Sequence, residues 1–387
     1  MTEIEKKNIL IFGATSNHGG VESFVENLIT VFHEKYNFSI LRFEDKNFYH
    51  QTELIQNFGI STFCLKLYGS FFDRIFYPLR ANIFFKKNHF DIVHINANSP
   101  FHFFIARAAI RGGAKVIYES HNSFFNSAYY HGKIVNLLLP YIRRIQKRKL
   151  NKLPIIPAAV STSAARFMFS KRNQKKTIII PNYFNADFFR FNLNHRKKMR
   201  KQLGICDDDR VVVVVARITY QKNFDKILSI FTTGIMNKKF AQCFIVGNGD
   251  EYMERVSQVS SFKKIVRDKI HFVGQQENVY DWMSMSDVMI MPSLYEGLPY
   301  TLLEAQANGL PSLVSDCIAK ETNYTGITHF LSIDEMDTVW VQKATEMNIS
   351  VSQRNDCFRL ASRSRFSKDD FVRVIDQLYQ SISGDKQ

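Results

Sequence analysis

Two glutamates eight positions apart, Glu296 and Glu304, flank the run Gly297-Leu298-Pro299-Tyr300-Thr301-Leu302. Carboxylates accept hydrogen bonds from hydroxyl groups, and the run between them reads as a loop feeding a helix. Val288 to Met291 is a short apolar run of the kind that makes a buried parallel strand, and Pro292 and Ser293 end it. Gly297 permits an unusual backbone angle, and Pro299, with no N–H to leave unpaired, is expected as the first helical residue. The amides of Tyr300, Thr301 and Leu302 then point out of the first turn, where the helix dipole also favours an anion; this is a seat for phosphate. Helical side chains lean toward the N-terminus, so Glu304 reaches back to a ligand on the helix start while Glu296 approaches from the loop. The plain alternative is a first-turn acid favoured by the dipole and a solvated loop acid.

Three further sets of residues sit where an α/β sheet would present them to a ligand. Arg217 and Lys222 follow the β-branched run Val211 to Val215, placed to hold a diphosphate by a guanidinium fork and a point charge, or else solvated surface cations. His121 follows the strand Lys115 to Tyr118 together with Glu119, Ser120 and Asn122, at a carboxyl end where such sheets bind ligands. A structural hydrogen bond is the alternative for that histidine. Gly19 and Gly20, after the strand Ile9 to Phe12, let backbone approach a bound group or simply make a tight turn, and the absence of a G-x-G-x-x-G spacing argues against a dinucleotide site. His94, inside the run Asp91-Ile92-Val93-His94, reads as core. Asp207-Asp208-Asp209 precedes its strand, at the end opposite the ligand, and reads as a turn and not a metal site.

The elements that must carry these residues alternate strand and helix, which predicts α/β architecture with parallel, doubly wound sheets. Further strands are expected at Phe38 to Phe43, Phe63 to Leu67 and Ile92 to Ile95. A chain of 387 residues exceeds one ordinary core and predicts two domains. No apolar stretch reaches the roughly 20 residues of a membrane span, and the start lacks a signal-peptide pattern, so the cytoplasm is the expected location. The five cysteines show no metal or disulfide spacing and read as reduced thiols. Residues 1–190 carry 26 Lys and Arg against 12 Asp and Glu, which implies an anionic partner for the first half. Arg143, Arg144, Lys147, Arg148, Lys149 and Lys152, beside Tyr141, Ile142 and Ile145, have the composition of an interfacial helix that docks on an anionic membrane. The aromatic and basic stretch 66–90 reads as a core helix with a solvated basic face, with lipid contact the alternative. No nucleic-acid motif accompanies the charge.

The run Pro292 to Pro311 resembles the P-S-x-x-E-G-x-P-x-x-x-x-E-A-x-A-x-G-x-P signature of the family 4 retaining glycosyltransferases, and A-R-I-T-Y-Q-K-N at 216–223 resembles their G-R-x-x-x-x-K-N, with Ala216 in place of glycine. Gly19-Gly20-Val21-Glu22 resembles their G-G-x-E loop, and Val246-Gly247-Asn248-Gly249 their V-G-x-G turn. The resemblance implies a GT-B fold: two Rossmann-like domains facing a central cleft, residues 1–190 on the acceptor side and 191–365 binding the donor. A C-terminal helix at about 366–383 is expected to pack back on the first domain. It implies catalytic roles for Arg217, Lys222, Glu296 and His121, and donor binding by Gly19, Gly20, Gly247, Gly297, Leu298, Tyr300, Thr301, Leu302 and Glu304. It implies transfer of a hexose-type sugar from a nucleoside-diphosphate donor, a UDP-sugar, to a lipid-diphosphate-linked saccharide in capsule, exopolysaccharide or O-antigen assembly, with no metal or cofactor. The enzyme would work at the inner face of the membrane. A nucleotide-sugar epimerase of the same fold, or a non-catalytic nucleotide-sugar-binding partner, are the alternatives.

Overall fold

A computed structural model describes residues 6–15, 19–42, 56–66, 71–122 and 133–383. The ends of two expected strands, Phe43 and Leu67, and the side chain of Arg74 lie outside the described residues. The chain divides into two units: residues 1–183 with 369–387, and residues 184–368.

Unit 1 is built on seven parallel strands: β1 (Asn8–Phe12), β2 (Asn37–Arg42), β3 (Ser61–Cys64), β4 (Ile92–Ala97), β5 (Lys115–Ser120), β6 (Ile156–Ala159) and β7 (Ile178–Ile179), in the order β3-β2-β1-β4-β5-β6-β7. Apolar runs such as Ile9-Leu10-Ile11-Phe12 are buried on both faces, as a sheet covered by helices on both sides requires. The helix Gly20–Phe32 follows β1, and its Phe24, Leu28 and Phe32 enter a core that also takes Phe371, Ile375, Leu378 and Tyr379 from the last helix, Lys368–Ser383.

Unit 2 has six parallel strands: β8 (Val211–Val215), β9 (Gln242–Val246), β10 (Ile270–Gly274), β11 (Val288–Met291), β12 (Ser312–Ser315) and β13 (Thr328–Leu331), in the order β10-β9-β8-β11-β12-β13. Each sheet thus reverses its winding once, between β1 and β4 in unit 1 and between β8 and β11 in unit 2. Loops leaving the carboxyl ends of strands at such a switch point diverge and leave a crevice.

The boundary differs from that expected at residue 190: residues 184–190 belong to unit 2. Packing there accounts for it. Phe184 and Phe189 are in ring contact, the Phe189 carbonyl accepts from Asn308 Nδ2 at 3.0 Å, and the Arg190 guanidinium lies over the Phe358 ring. The helix start is also corrected: Pro299 occupies the N-cap with extended backbone, and the helix runs Tyr300–Ala307. Gly297 is not among the glycines with positive φ, so its place in the loop is not set by a left-handed angle.

The amino end of the β8–β11 pair is tied by a polar knot. Asp287, just before β11, accepts from Arg196 at 2.6 Å, from Arg200 at 3.4 Å and from the Val211 amide at 2.8 Å. Arg196 also donates to the carbonyls of Ser284, Met285 and Ser286, and Arg200 is 2% exposed. Removing one partner of such a group strands the remaining charges away from water. Asp287→Ala is expected to lower the unfolding free energy by about 3 kcal/mol, read from urea denaturation; a change near zero would show that the carbonyl contacts alone hold the two arginines.

Candidate active site

At the switch point of unit 2, two loops are locked together. The loop after β8 makes a short 3-10 turn, Tyr220–Lys222, and ends at Asn223, whose left-handed backbone (φ 58°, ψ 58°) starts the helix Phe224–Met236. Asparagine tolerates that conformation better than most residues, and its side chain donates to the Pro292 carbonyl at 3.3 Å. From the other loop, the Leu294 amide donates to the Gln221 carbonyl at 2.9 Å, while Gln221 Nε2 donates to the Tyr295 carbonyl at 2.9 Å and to Glu296 Oε2 at 3.1 Å. Lys222 Nζ then meets Glu296 Oε1 at 2.6 Å, with both side chains mostly withdrawn from solvent. Glu296 is therefore not a solvated loop acid. Gln221 and Asn223 received no role from sequence reasoning; the K-N pair was visible, but the left-handed turn that aims Lys222 was not.

Arg217 leaves the same strand end exposed to solvent and makes no hydrogen bond or ion pair among the described residues. The helix Tyr300–Ala307 follows the loop that carries Glu296. The Thr301 amide has no protein acceptor among the described residues, but Leu302 N–H donates to the Pro299 carbonyl at 3.1 Å. Leu302 is thereby removed from the three amides expected to face an anion. Gly297 and Leu298 are buried in the loop beside Glu296.

Glu304, one turn into the helix, makes no hydrogen bond or ion pair through its carboxyl group among the described residues, and burial pushes its pKa up to about 7. The residue is half-buried. A carboxyl group held this way can accept hydrogen bonds from hydroxyl groups.

Gly247 has a structural reason of its own. At φ +138°, a Cβ there would come within 2.0 Å of the Ala216 carbonyl oxygen, and at Gly249 within 2.4 Å of the Ile218 carbonyl oxygen. The V-G-x-G turn thus lets β9 press against the segment that carries Arg217.

In unit 1, Gly19 is the N-cap of Gly20–Phe32, with extended backbone. Glu22 of the same motif turns back and accepts from both the amide and the hydroxyl of Thr15 at 2.7 Å, tying the helix start to Thr15 just past β1. His121 lies just past β5, its side chain 5% exposed, with Nε2 2.9 Å from Asn96 Oδ1 and 3.6 Å from Glu119 Oε1. His94 is fully buried, as expected of a core position, yet it joins the same polar group through Glu119 Oε2 at 2.8 Å and the Tyr379 hydroxyl at 2.9 Å. Sequence reasoning missed Asn96, and placed Glu119 at the strand end without a role of its own. The signal was the period-two spacing His94, Asn96 and Glu119, His121 on neighbouring strands that are otherwise apolar.

The shifted Glu304 carboxyl has a measurable consequence. Its folded pKa exceeds its unfolded value, so the folded state binds more protons between about pH 4.5 and 7 and stability falls as pH rises through that window. Glu304→Gln lacks this titration. Relative to wild type it is expected to gain stability between pH 4.5 and 8, by up to about 3 kcal/mol, followed by denaturation at each pH; parallel curves would remove the buried-acid assignment.

Two family profiles match the chain: "Glycosyltransferase Family 4" over residues 18–188 and "Glycosyl transferases group 1" over residues 195–337. EpsF of Bacillus subtilis, which is named as a glycosyltransferase, is 26% identical over 341 residues, covering 87% of this chain and 86% of that one. An Escherichia coli protein named UDP-Gal:alpha-D-GlcNAc-diphosphoundecaprenol alpha-1,3-galactosyltransferase is 23% identical over 302 residues, covering 75% of this chain and 77% of that one. Among solved structures, Anabaena HepE in complex with UDP superposes with a TM-score of 0.72 at 14% identity, covering 97% of this chain and 99% of that one.

Proposed function

The chain belongs to glycosyltransferase family 4, with the GT-B fold, and from that premise we propose that it transfers a hexose-type sugar, with retention of configuration, from a UDP-sugar to a lipid-diphosphate-linked saccharide in the assembly of a bacterial surface polysaccharide. The observation that carries this reading is the Lys222–Glu296 pair, 2.6 Å apart between the loops after β8 and β11, with Arg217 exposed just past β8 and the helix Tyr300–Ala307 following the Glu296 loop. Cations and an amide suit a diphosphate, and carboxylates suit the hydroxyls on either side of it. The nucleotide choice draws support from the UDP held by HepE, and the lipid-linked acceptor and polysaccharide setting from the name of the E. coli relative.

In this reading the donor diphosphate takes up Lys222, which releases Glu296 to accept a hydroxyl of the sugar. Negative charge grows on the departing phosphate, and Arg217, Lys222 and the helix start are already oriented toward it. Preorganised donors of this kind are each worth on the order of 100-fold in rate. The two cations supply the charge compensation, and no metal or cofactor is required. Glu304 accepts the ribose hydroxyls, and His121 in unit 1 takes a hydroxyl of the sugar. Retention follows if the phosphate oxygen itself receives the acceptor proton on the face it leaves.

Variants separate these roles. Arg217→Ala is expected to lower kcat about 100-fold with an unchanged melting temperature, because that side chain has no partner to lose. Lys222→Ala should lower both, since Glu296 is then buried without its cation. Glu304→Ala should weaken UDP binding in calorimetry, whereas Glu296→Ala should lose transfer while UDP still binds. The donor comes first from a melting-temperature screen of nucleotide-sugars; equal turnover in wild type and all four variants would overturn the site.

The same reading includes docking of unit 1 on an anionic membrane. On the helix Lys133–Leu150, Tyr141, Ile142 and Ile145 are 67%, 44% and 50% exposed, beside exposed Arg144, Arg148 and Lys149. The helix Phe71–Lys87 turns Tyr77, Ala81 and Phe85 inward and leaves Phe76, Leu79 and Ile83 exposed with Lys86 and Lys87, so stretch 66–90 is not solely a core helix with a polar face. Apolar residues among cations are the pattern of an interfacial surface. One of the six clustered cations is corrected: Lys147 donates to the carbonyls of Arg166 and Phe167, and burial lowers its pKa, so it serves the fold. Each exposed cation contributes about 1 kcal/mol near an anionic surface. Changing Arg144, Arg148, Lys149 and Lys152 to Gln should release the protein from phosphatidylserine vesicles at low salt, and Lys147→Gln should instead lower stability. Wild type that ignores those vesicles would rule docking out.

A further inference from the structure

We propose that Asn96 is a positioning residue that fixes the His121 ring with its proton on Nε2, leaving Nδ1 as an acceptor for a hydroxyl of the sugar substrate. The inference rests on the reading of His121 as a substrate contact.

The Phe12 carbonyl at the end of β1 can only accept, and Asn96 faces it at 3.3 Å. The Asn96 amide nitrogen must therefore point to Phe12, which turns Oδ1 toward His121. That oxygen also can only accept, so His121 Nε2, 2.9 Å away, must carry the proton. Glu119 Oε1, 3.6 Å from the same nitrogen and without a hydrogen bond of its own, reinforces the choice by its charge. The other Glu119 oxygen accepts from His94 Nε2, and His94 Nδ1 in turn accepts from the Tyr379 hydroxyl. Every bond in the chain then has one direction.

Local structure makes this arrangement rigid. Asn96 and Glu119 are register partners on the adjacent parallel strands β4 and β5, and His94 lies two residues before Asn96 on the same face. The His121 amide donates to the Ala97 carbonyl at 3.1 Å, and the Phe24 ring meets the imidazole edge to face at 5.1 Å. Burial lowers the His121 pKa, opposed by Glu119 and assisted by His94, which favours the neutral ring. With Nε2 occupied, Nδ1 is the polar atom of a nineteen-twentieths buried side chain that has no partner among the described residues. A neutral nitrogen lone pair accepts a hydroxyl proton but cannot donate one, so the contact selects a sugar hydroxyl and not a carbonyl or ether oxygen.

The test uses the full-length protein labelled with 15N-histidine. Long-range proton–nitrogen correlation spectra report which ring nitrogen is protonated, and His121→Gln identifies the His121 signals among the 11 histidines. At pH 7.5 the expected pattern is the Nε2–H tautomer; an Nδ1–H or doubly protonated ring overturns the proposal. Asn96→Leu keeps size but removes the acceptor, and should give mixed tautomers with about a tenfold lower kcat/KM. A folded Asn96→Leu protein with the wild-type tautomer and unchanged kcat/KM also overturns it. Absence of turnover by wild type with every nucleotide-sugar would sink the transfer reading instead, and the ring signals of wild type and variant would still decide what Asn96 does.

Discussion

The Lys222–Glu296 ion pair is the contact on which the unit 2 site depends. Neither group would keep its place alone. A buried carboxylate needs a cation and further donors, and Glu296 receives them from Lys222 and Gln221. In return Glu296 ties the loop after β11 to the loop after β8.

Unit 1 solves a similar problem with neutral groups. Glu119 is fully buried, accepts from His94 Nε2 at 2.8 Å and lies 3.6 Å from His121 Nε2, within a chain that Asn96 and Tyr379 complete. A chain of directed hydrogen bonds defines orientation without a full counter-charge, and in a low-dielectric interior each bond constrains the next. The last helix supplies Tyr379 to this chain, so residues far along the sequence help to orient a histidine at position 121.

Glycines serve the two sheets in different ways. Gly13, at φ +118°, lies where a Cβ would come within 1.9 Å of the Asn96 carbonyl oxygen, and Gly247 plays the matching part against Ala216. Both permit the close strand-end packing from which the switch-point loops diverge. The sequence reading assigned Gly247 to a donor pocket; its geometry gives first a packing reason.

The sequence by itself determined the class of fold, because buried parallel strands require continuous apolar runs and these can be read at Ile9, Val211 and Val288. It also determined the residue types at the site, since the spacing of Glu296, Pro299 and Glu304 is a property of the chain. What it left open was partnership. Whether Glu296 is solvated or paired, whether Leu302 offers its amide, and whether Lys147 faces solvent or a carbonyl depend on contacts between segments that no local pattern encodes. The boundary near residue 184 moved for the same reason: Phe184 and Phe189 join the unit against which their rings pack. Only the tertiary structure could decide these points, because burial and hydrogen-bond direction are properties of neighbours brought together by the sheet order.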